Sequence, residues 1–218
     1  MLELERLEDP LTESNCYLLG EEGGAVVIDP NDPLRVPARL EELGWTPELI
    51  LLTHEHCDHM AGLEALRDRF PQAVVVTSGA CSAGIQNKRL NMTQLMEVYL
   101  TFRGKPGVSY PPFVCRPADK TYGDTWETLW RGHRLQCTAL PGHTPGSAGI
   151  FLDGQIFFSG DYLIPGEEVI LRLPGGSAAD YAARTQPFLE GLSPGLRICP
   201  GHGVPYTLTE RSATGHGS

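Results

Sequence analysis

Residues 53–59 read Thr-His-Glu-His-Cys-Asp-His, directly at the end of the apolar run 49–53. A fold that accepts this chain has to bring His54, His56, Asp58 and His59 to the loop at a strand's carboxyl end. Neutral imidazole nitrogens and carboxylate oxygens are the donors that divalent zinc prefers, and a catalytic site uses several of them while keeping a position open for water. A merely solvated loop has no reason to gather three imidazoles. Alternate side chains of an extended loop point the same way, so His54 and His56 can grasp one ion while Asp58 and His59 turn to a second.

Two more histidines have similar surroundings, in Pro141-Gly142-His143-Thr144-Pro145-Gly146 and in Pro200-Gly201-His202-Gly203. Each follows an apolar run and is flanked by Gly and Pro, which turn the chain sharply and let backbone approach a ligand. Ser159-Gly160-Asp161, after Phe157-Phe158, adds an acid at another strand end. One metal cage then accounts for five of the seven histidines, leaving His133 and His216 as surface residues.

The remaining pattern is that of an α/β protein. Segments 2–7, 15–19 and 25–28 read as a β-meander, 32–43 as a helix stopped by Gly44, and 49–53 as a buried strand. Helix 62–70, ended by Pro71, and the β-branched run 74–77 continue the alternation. The stretch 78–117 breaks it, with a helix over 92–102 and a Gly/Pro-rich segment over 104–112, and is read as an insertion or lid. Strands follow at 128–130, 134–140, 149–152 and 156–159, the last two joined by an Asp153-Gly154 turn. A helix over 178–192 and a strand over 197–199 close the pattern. With 218 residues, 41% of them apolar, the chain suits one large domain or two small ones.

The ordered series His54-x-His56-x-Asp58-His59, His143, Asp161, His202 resembles the metallo-β-lactamase superfamily, over roughly residues 15–206. The resemblance implies a single domain over 1–218, an αββα sandwich of two mixed β-sheets with helices on both outer faces. It implies one ion held by His54, His56 and His143, another by Asp58, His59 and His202, and Asp161 bridging them. Asp29, after strand 25–28, matches the superfamily's first acidic motif, which supports the metal loop without binding metal. Within the superfamily the glycine-rich runs around His143, Asp161, 173–177 and His202 look most like glyoxalase II and its short relatives, which hydrolyse thioesters. The chain ends soon after His202, where full-length glyoxalase II carries a helical domain that grips glutathione.

The expected cofactors are two divalent ions, Zn2+ before iron or manganese. The expected reaction is attack of a metal-bridging hydroxide on the carbonyl of a small thioester, ester or lactone, with Asp58 both binding metal and orienting the nucleophile. No side chain of these motifs stands out as a general acid, which suits a thiolate leaving group of pKa near ~8.5. The alternative of the same fold is a persulfide dioxygenase, which uses one iron held by two His and one Asp. Cys57 is either a packing residue or a thiol near the site, and Glu55 either supports the cage or lies on the surface. Tyr162 and Tyr206 are candidates for substrate contact or pocket wall, residues 91–102 for core or groove lining, and Lys88 and Arg89 for an anion contact or a solvated face.

The formal charge of −10 disfavours nucleic acid as a partner. Apolar runs far shorter than the ~20 residues that a bilayer requires disfavour a membrane span, so a small-molecule substrate is expected. Six scattered cysteines without a C-x-x-C pair read as reduced thiols, and residues 1–10 lack the basic start and apolar core of a secretory signal. A cytoplasmic protein is therefore expected.

Overall fold

The structure is a computed structural model that describes residues 1–209. Strands β1 (Glu3–Glu8), β2 (Asn15–Glu21) and β3 (Gly24–Ile28) form the antiparallel meander. Helix α1 (Arg35–Leu43) then carries the chain to β4 (Thr46–Leu51), which pairs parallel with β3. After α2 (Cys57–Met60) and α3 (Leu63–Arg69), strand β5 (Val74–Ser78) adds in parallel. Helices α4 (Gly79–Gly84) and α5 (Met96–Phe102) precede β6 (Lys120–Tyr122), which completes a six-stranded sheet in the order β1-β2-β3-β4-β5-β6.

The second sheet opens with β7 (Thr125–Trp130), β8 (His133–Ala139), β9 (Ala148–Leu152) and β10 (Ile156–Gly160), all antiparallel neighbours. Helix α6 (Ala178–Asp180), a π-helical turn (Tyr181–Thr185) and α7 (Gln186–Glu190) lead to β11 (Arg197–Pro200), parallel to β10, and then to β12 (Tyr206–Thr207). This sheet has the order β12-β11-β10-β9-β8-β7.

Strand periodicity explains the layering. On β2, Tyr17 and Leu19 face the second sheet, while Cys16 and Leu18 face the helices; on β3, Val26 and Ile28 point inward and Ala25 and Val27 outward. Both faces of these strands are apolar because both are covered, as central strands with crossover helices require. Inward residues meet Leu135, Cys137, Ile150 and Phe158 of the second sheet. On that sheet's far face Phe157 and Ile198 pack with Leu189 of α7 and Leu140. Each such large side chain, fully buried, contributes ~1.5–3 kcal/mol. The result is the αββα sandwich expected from the sequence.

Several elements differ from the sequence reading in instructive ways. Helix α1 starts at Arg35, because Asp32 Oδ1 accepts from Leu34 N at 2.7 Å and Arg35 N at 2.8 Å and so caps the first turn from outside. Gly44 ends it with φ 67°, as expected. Strand β4 begins at Thr46, and a register shift between Ala25 and Val26 accommodates Pro47, which has no donor for the ladder. The expected helix 92–102 begins at Met96. The helix expected over 178–192 widens into a π turn just before Pro187, whose missing N–H interrupts the regular ladder. Asp153 and Gly154 take φ 53° and 65°, turning β9 into β10 as a type I′ pair would.

All parallel pairs bring strand carboxyl ends to one edge, where Asn15 N donates to Gly201 O at 2.7 Å. At the opposite edge His133 joins the two sheets, its Nδ1 2.6 Å from Asp153 Oδ2 and its Nε2 3.0 Å from Glu21 Oε2. The bond to Asp153, aided by Glu21, raises the His133 pKa. Stability from a raised histidine is fully present below its unfolded pKa of about 6.5 and is lost as pH rises through the higher folded value. His133→Ala is therefore expected to cost up to about 1 kcal/mol at pH 6 and less at pH 9, read from urea denaturation. An equal cost at both pH values would show that the charge contributes nothing.

Candidate metal centre

Asp29, His54, Asp161 and His202 stand at or just beyond the carboxyl ends of β3, β4, β10 and β11, and the loop after β8 brings in His143. Asp161 lies between two groups of donors. Its Oδ2 is 3.3 Å from His143 Nε2 and 4.0 Å from His54 Nε2, while its Oδ1 is 3.3 Å from His59 Nε2 and 3.7 Å from His202 Nε2. Asp58 Oδ2 completes the second group at 3.5 Å from His202 Nε2 and 3.7 Å from His59 Nε2. In the first group His56 Nδ1 lies 3.1 Å from His143 Nε2. Two ligands about 2.0–2.2 Å from one ion at a tetrahedral angle lie roughly 3.3–3.6 Å apart, and the separations here, from 3.1 to 4.0 Å, bracket that range.

The rings are held from behind. Thr53 Oγ1 donates to Asp29 Oδ2 at 2.6 Å and thereby accepts from His54 Nδ1 at 3.0 Å. His59 Nδ1 faces Asp29 Oδ2 at 3.2 Å, and His143 Nδ1 donates to Ile170 O at 2.8 Å. These partners assign the ring protons to Nδ1 and leave three Nε2 lone pairs directed inward. Two glycines leave the room required. Gly160 sits at φ 53°, and a Cβ on Gly201 would fall 2.4 Å from Asp161 Oδ1 and 2.8 Å from His59 Cε1.

The electrostatics separate the donors. Burial and the neighbouring His59 hold His54 well below the usual histidine pKa, and burial brings His56 down to about 3. Burial opposes ionisation of Asp58 and Asp161 too, yet the surrounding histidines bring Asp58 to about 2 and Asp161 lower than its ordinary value. His59 and His202 are burdened by the same burial, but Asp58 and Asp161 raise both. Neutral His54 and His56 beside ionised Asp58 and Asp161 form a cation-binding set, and the same carboxylates that draw protons to His59 and His202 would draw a metal cation there. The decisive observation is that His54 Nε2, His59 Nε2 and Asp161 Oδ1 are buried without a hydrogen-bond partner. One such atom costs ~1–3 kcal/mol, and three facing one another across the cluster fit divalent metal.

All seven residues singled out as ligands in the sequence are thus brought together. Three donor groups result: His54, His56, His143 and Asp161; Asp58, His59 and His202; and Asp29, His54 and His59. In the last group both Asp29 oxygens are engaged by Thr53, through its backbone N at 2.7 Å and its hydroxyl, so Asp29 orients donors as the sequence reading has it. Cys57 turns away into the helix-side core, where burial raises its thiol pKa. Glu55 is fully buried, not on the surface. Tyr162 is also buried, donating to Leu140 O at 2.7 Å and accepting from His143 N at 3.0 Å, while Tyr206 donates to Leu163 O.

A shallow cleft opens onto His143, Asp161 and His202, walled by Tyr99, Arg103, Ile164, Glu167, Glu168 and Ile170. Lys88 and Arg89 are exposed and take no part in its wall; Arg103 is the cation that lines it. The segment 78–117 supplies wall and core together, since Met92, Met96, Leu100 and Cys115 are buried and Asn91 O accepts from Cys57 N at 2.9 Å. Of residues 91–102, read from the sequence as core or groove lining, Tyr99 lines the cleft while Met92, Met96 and Leu100 are core; Arg103, Glu167 and Glu168 belong to no periodic pattern and were not foreseen as lining. His133 is part-exposed as expected, and His216 lies outside the described residues.

Two stacked mixed sheets with a His/Asp cluster at their common edge define a metal-binding α/β-sandwich hydrolase. The chain belongs to the metallo-beta-lactamase superfamily, whose family model matches residues 9–202. It is similar to a hydroxyacylglutathione hydrolase of Klebsiella pneumoniae subsp. pneumoniae, 45% identical over 64 residues, a match spanning 29% of this chain and only 26% of that protein. Hydroxyacylglutathione hydrolase GloC of Haemophilus influenzae is 28% identical over 201 residues, covering 90% of this chain and 88% of that one. Among solved structures, the BLEG-1 B3 metallo-beta-lactamase superposes with a TM-score of 0.80 at 25% identity, over 95% of this chain and 94% of that one. TTHA1623 in a di-iron-bound form superposes with a TM-score of 0.66 at 29% identity, over 94% of each chain.

The role of Asp29 is open to direct measurement. Asp29→Asn places an amide donor against either Thr53 or the Nδ1–H of His59. Affinity for the more weakly held ion is expected to fall roughly 10–100-fold in a chelator competition. Unchanged affinity would leave Asp29 as a structural tie only.

Proposed function

We propose that the chain is a binuclear metal hydrolase, with zinc as the expected metal, that cleaves the carbonyl–sulfur bond of a small thioester; esters and lactones are the related substrates. The observation that carries the reading is Asp161, with one oxygen turned toward each of two donor groups. His54, His56 and His143 would hold one ion, Asp58, His59 and His202 the other, and Asp161 would span both. Because both groups are complete, two ions fit better than the single iron of a persulfide dioxygenase.

Bound divalent ions supply Lewis-acid polarisation of a carbonyl and bring the pKa of water toward neutrality. Asp58, ionised and turned toward His59 and His202, would orient the attacking water as well as help hold the second ion. Tyr99, which lines the cleft, has its phenol pushed up to about 12 by burial and by the nearby Asp58 and Asp161. It therefore donates hydrogen bonds to substrate more readily than protons to a leaving group. A thiolate of pKa near ~8.5 leaves without a proton where an amine requires one, which supports a thioester over a lactam. Relatives named hydroxyacylglutathione hydrolase support the same choice.

The reading takes residues 1–218 as one domain and 78–117 as an insertion that shapes the cleft. Six buried free cysteines support a reducing, cytoplasmic setting, and no helix among the described residues is long and apolar enough to cross a membrane.

Elemental analysis of protein purified without chelator, beside a panel of small thioesters, tests the proposal. Two zinc per chain with thioester turnover is the expected result, and Asp58→Asn should lower kcat by roughly a hundredfold or more with the fold intact. One iron per chain, no turnover and oxygen uptake on a persulfide would assign the dioxygenase activity instead.

A further inference from the structure

Glu55 lies between two proposed ligands, points away from them and is 0% exposed. Its Oε2 accepts from Thr144 Oγ1 at 2.8 Å and its Oε1 from Gly146 N at 3.3 Å. Both partners belong to the loop that carries His143. Other bonds close the same loop: Ala148 N donates to Thr53 O at 2.7 Å, Ser78 Oγ to Gly146 O at 2.9 Å, and Thr144 N to Ser147 Oγ at 3.1 Å. Thr53 and Ser78 reach only the loop's far end, so Glu55 is the side chain that joins the peptide beside His143 to the peptide between His54 and His56.

The room around Glu55 is a second, independent observation. A Cβ on Gly84 would lie 2.5 Å from Glu55 Cγ, and one on Gly146 would lie 2.3 Å from Oε2. Neither glycine has a positive φ, so backbone conformation does not require glycine at either position. What excludes a larger residue at both is the buried acid, together with the α4 backbone at Cys81 in the case of Gly146. A buried carboxyl is costly unless its hydrogen bonds are made, and the ones Glu55 makes lock two loops from different sheets in register.

We propose that Glu55 is a positioning residue that fixes the His143 loop against the His54/His56 loop and thereby sets the affinity of that half of the centre for its ion. The inference rests on the two-ion reading above. His56 Nδ1 and His143 Nε2, 3.1 Å apart, belong to the two loops that Glu55 joins. The other half, formed by Asp58, His59 and His202, is held instead by Asp29 and by the bonds of Asn15 to Pro200 O and Gly203 O.

The test is stepwise chelator competition on the zinc-loaded protein, beside the absorption spectrum of the cobalt-substituted form. Glu55→Ala is expected to weaken one binding step 10–100-fold, leave the other within a few-fold, and change the cobalt spectrum. Glu55→Gln, which keeps an acceptor for Gly146 N and can donate to Thr144 Oγ1, should restore the weakened step. If Glu55→Ala does not fold, Thr144→Val removes the same bond from the other side and should weaken the same step, with Thr144→Ser restoring it. A lower Tm with both steps and the spectrum unchanged, in whichever of the two variants folds, overturns the inference, as does equal weakening of both steps. Wild-type protein that binds no metal sinks the two-ion reading itself, a result distinct from either.

Discussion

The carboxylate of Asp29 is the tie on which the edge of the sandwich depends. It takes the backbone N and the hydroxyl of Thr53 and faces the ring of His59, so one buried side chain at the end of β3 sets both the start and the end of the loop 53–59. Asp29 itself has φ 53°, a conformation that Asp tolerates better than most residues. A charge so deeply placed is acceptable because its oxygens are occupied, and its hydrogen bonds decide which nitrogen of His54 and His59 stays bare. Strand pairing thus reaches metal chemistry through a single group.

Parallel pairing does the rest of the placing. Because β3 and β4 run together, as do β10 and β11, their carboxyl ends share an edge. Turns there are sharp, and glycine occurs where a side chain would enter the donor cluster. The second sheet is secured to the first at the same edge by Asn15, whose side chain donates to Pro200 O and Gly203 O, and by Tyr17, whose hydroxyl donates to Pro200 O at 2.8 Å. Strand β2 therefore contributes no donor to the centre but holds the loop that presents His202.

Much of this was legible from the sequence because it depends on local pattern. The buried strands β3 and β5, the helix stop at Gly44 and the Asp153-Gly154 turn each follow from a few adjacent residues. The clustering of the seven candidate donors was legible because imidazoles crowd into strand-end loops rarely without cause. What escaped was decided by tertiary contact. Strand β6 is three residues, Lys-Thr-Tyr, and exists because β5 offers it an edge; α4, Gly-Ala-Cys-Ser-Ala-Gly, has no amphipathic pattern and is started by Ser78 accepting from Cys81 N. Glu55 could be read as exposed because nothing adjacent to it announces Thr144 and Gly146, which lie about ninety residues further on. Arg103 and Glu167 reach the cleft from segments without periodicity.

The donor cluster also bears on stability. His54, His56 and His59 extend from the first sheet, and His143, Asp161 and His202 from the second, so a cation shared among them would fasten the two layers at their open edge. An ion that binds the folded chain and not the unfolded one stabilises it by about 4 kcal/mol at a thousand times its dissociation constant, a large part of a typical domain's total. The buried lone pairs that have no partner within the chain are then a cost of the apo fold that binding removes. The same atoms, His54 Nε2, His59 Nε2 and Asp161 Oδ1, that leave the edge of the sandwich unsatisfied make it the place where a divalent ion does most, for packing and for chemistry alike.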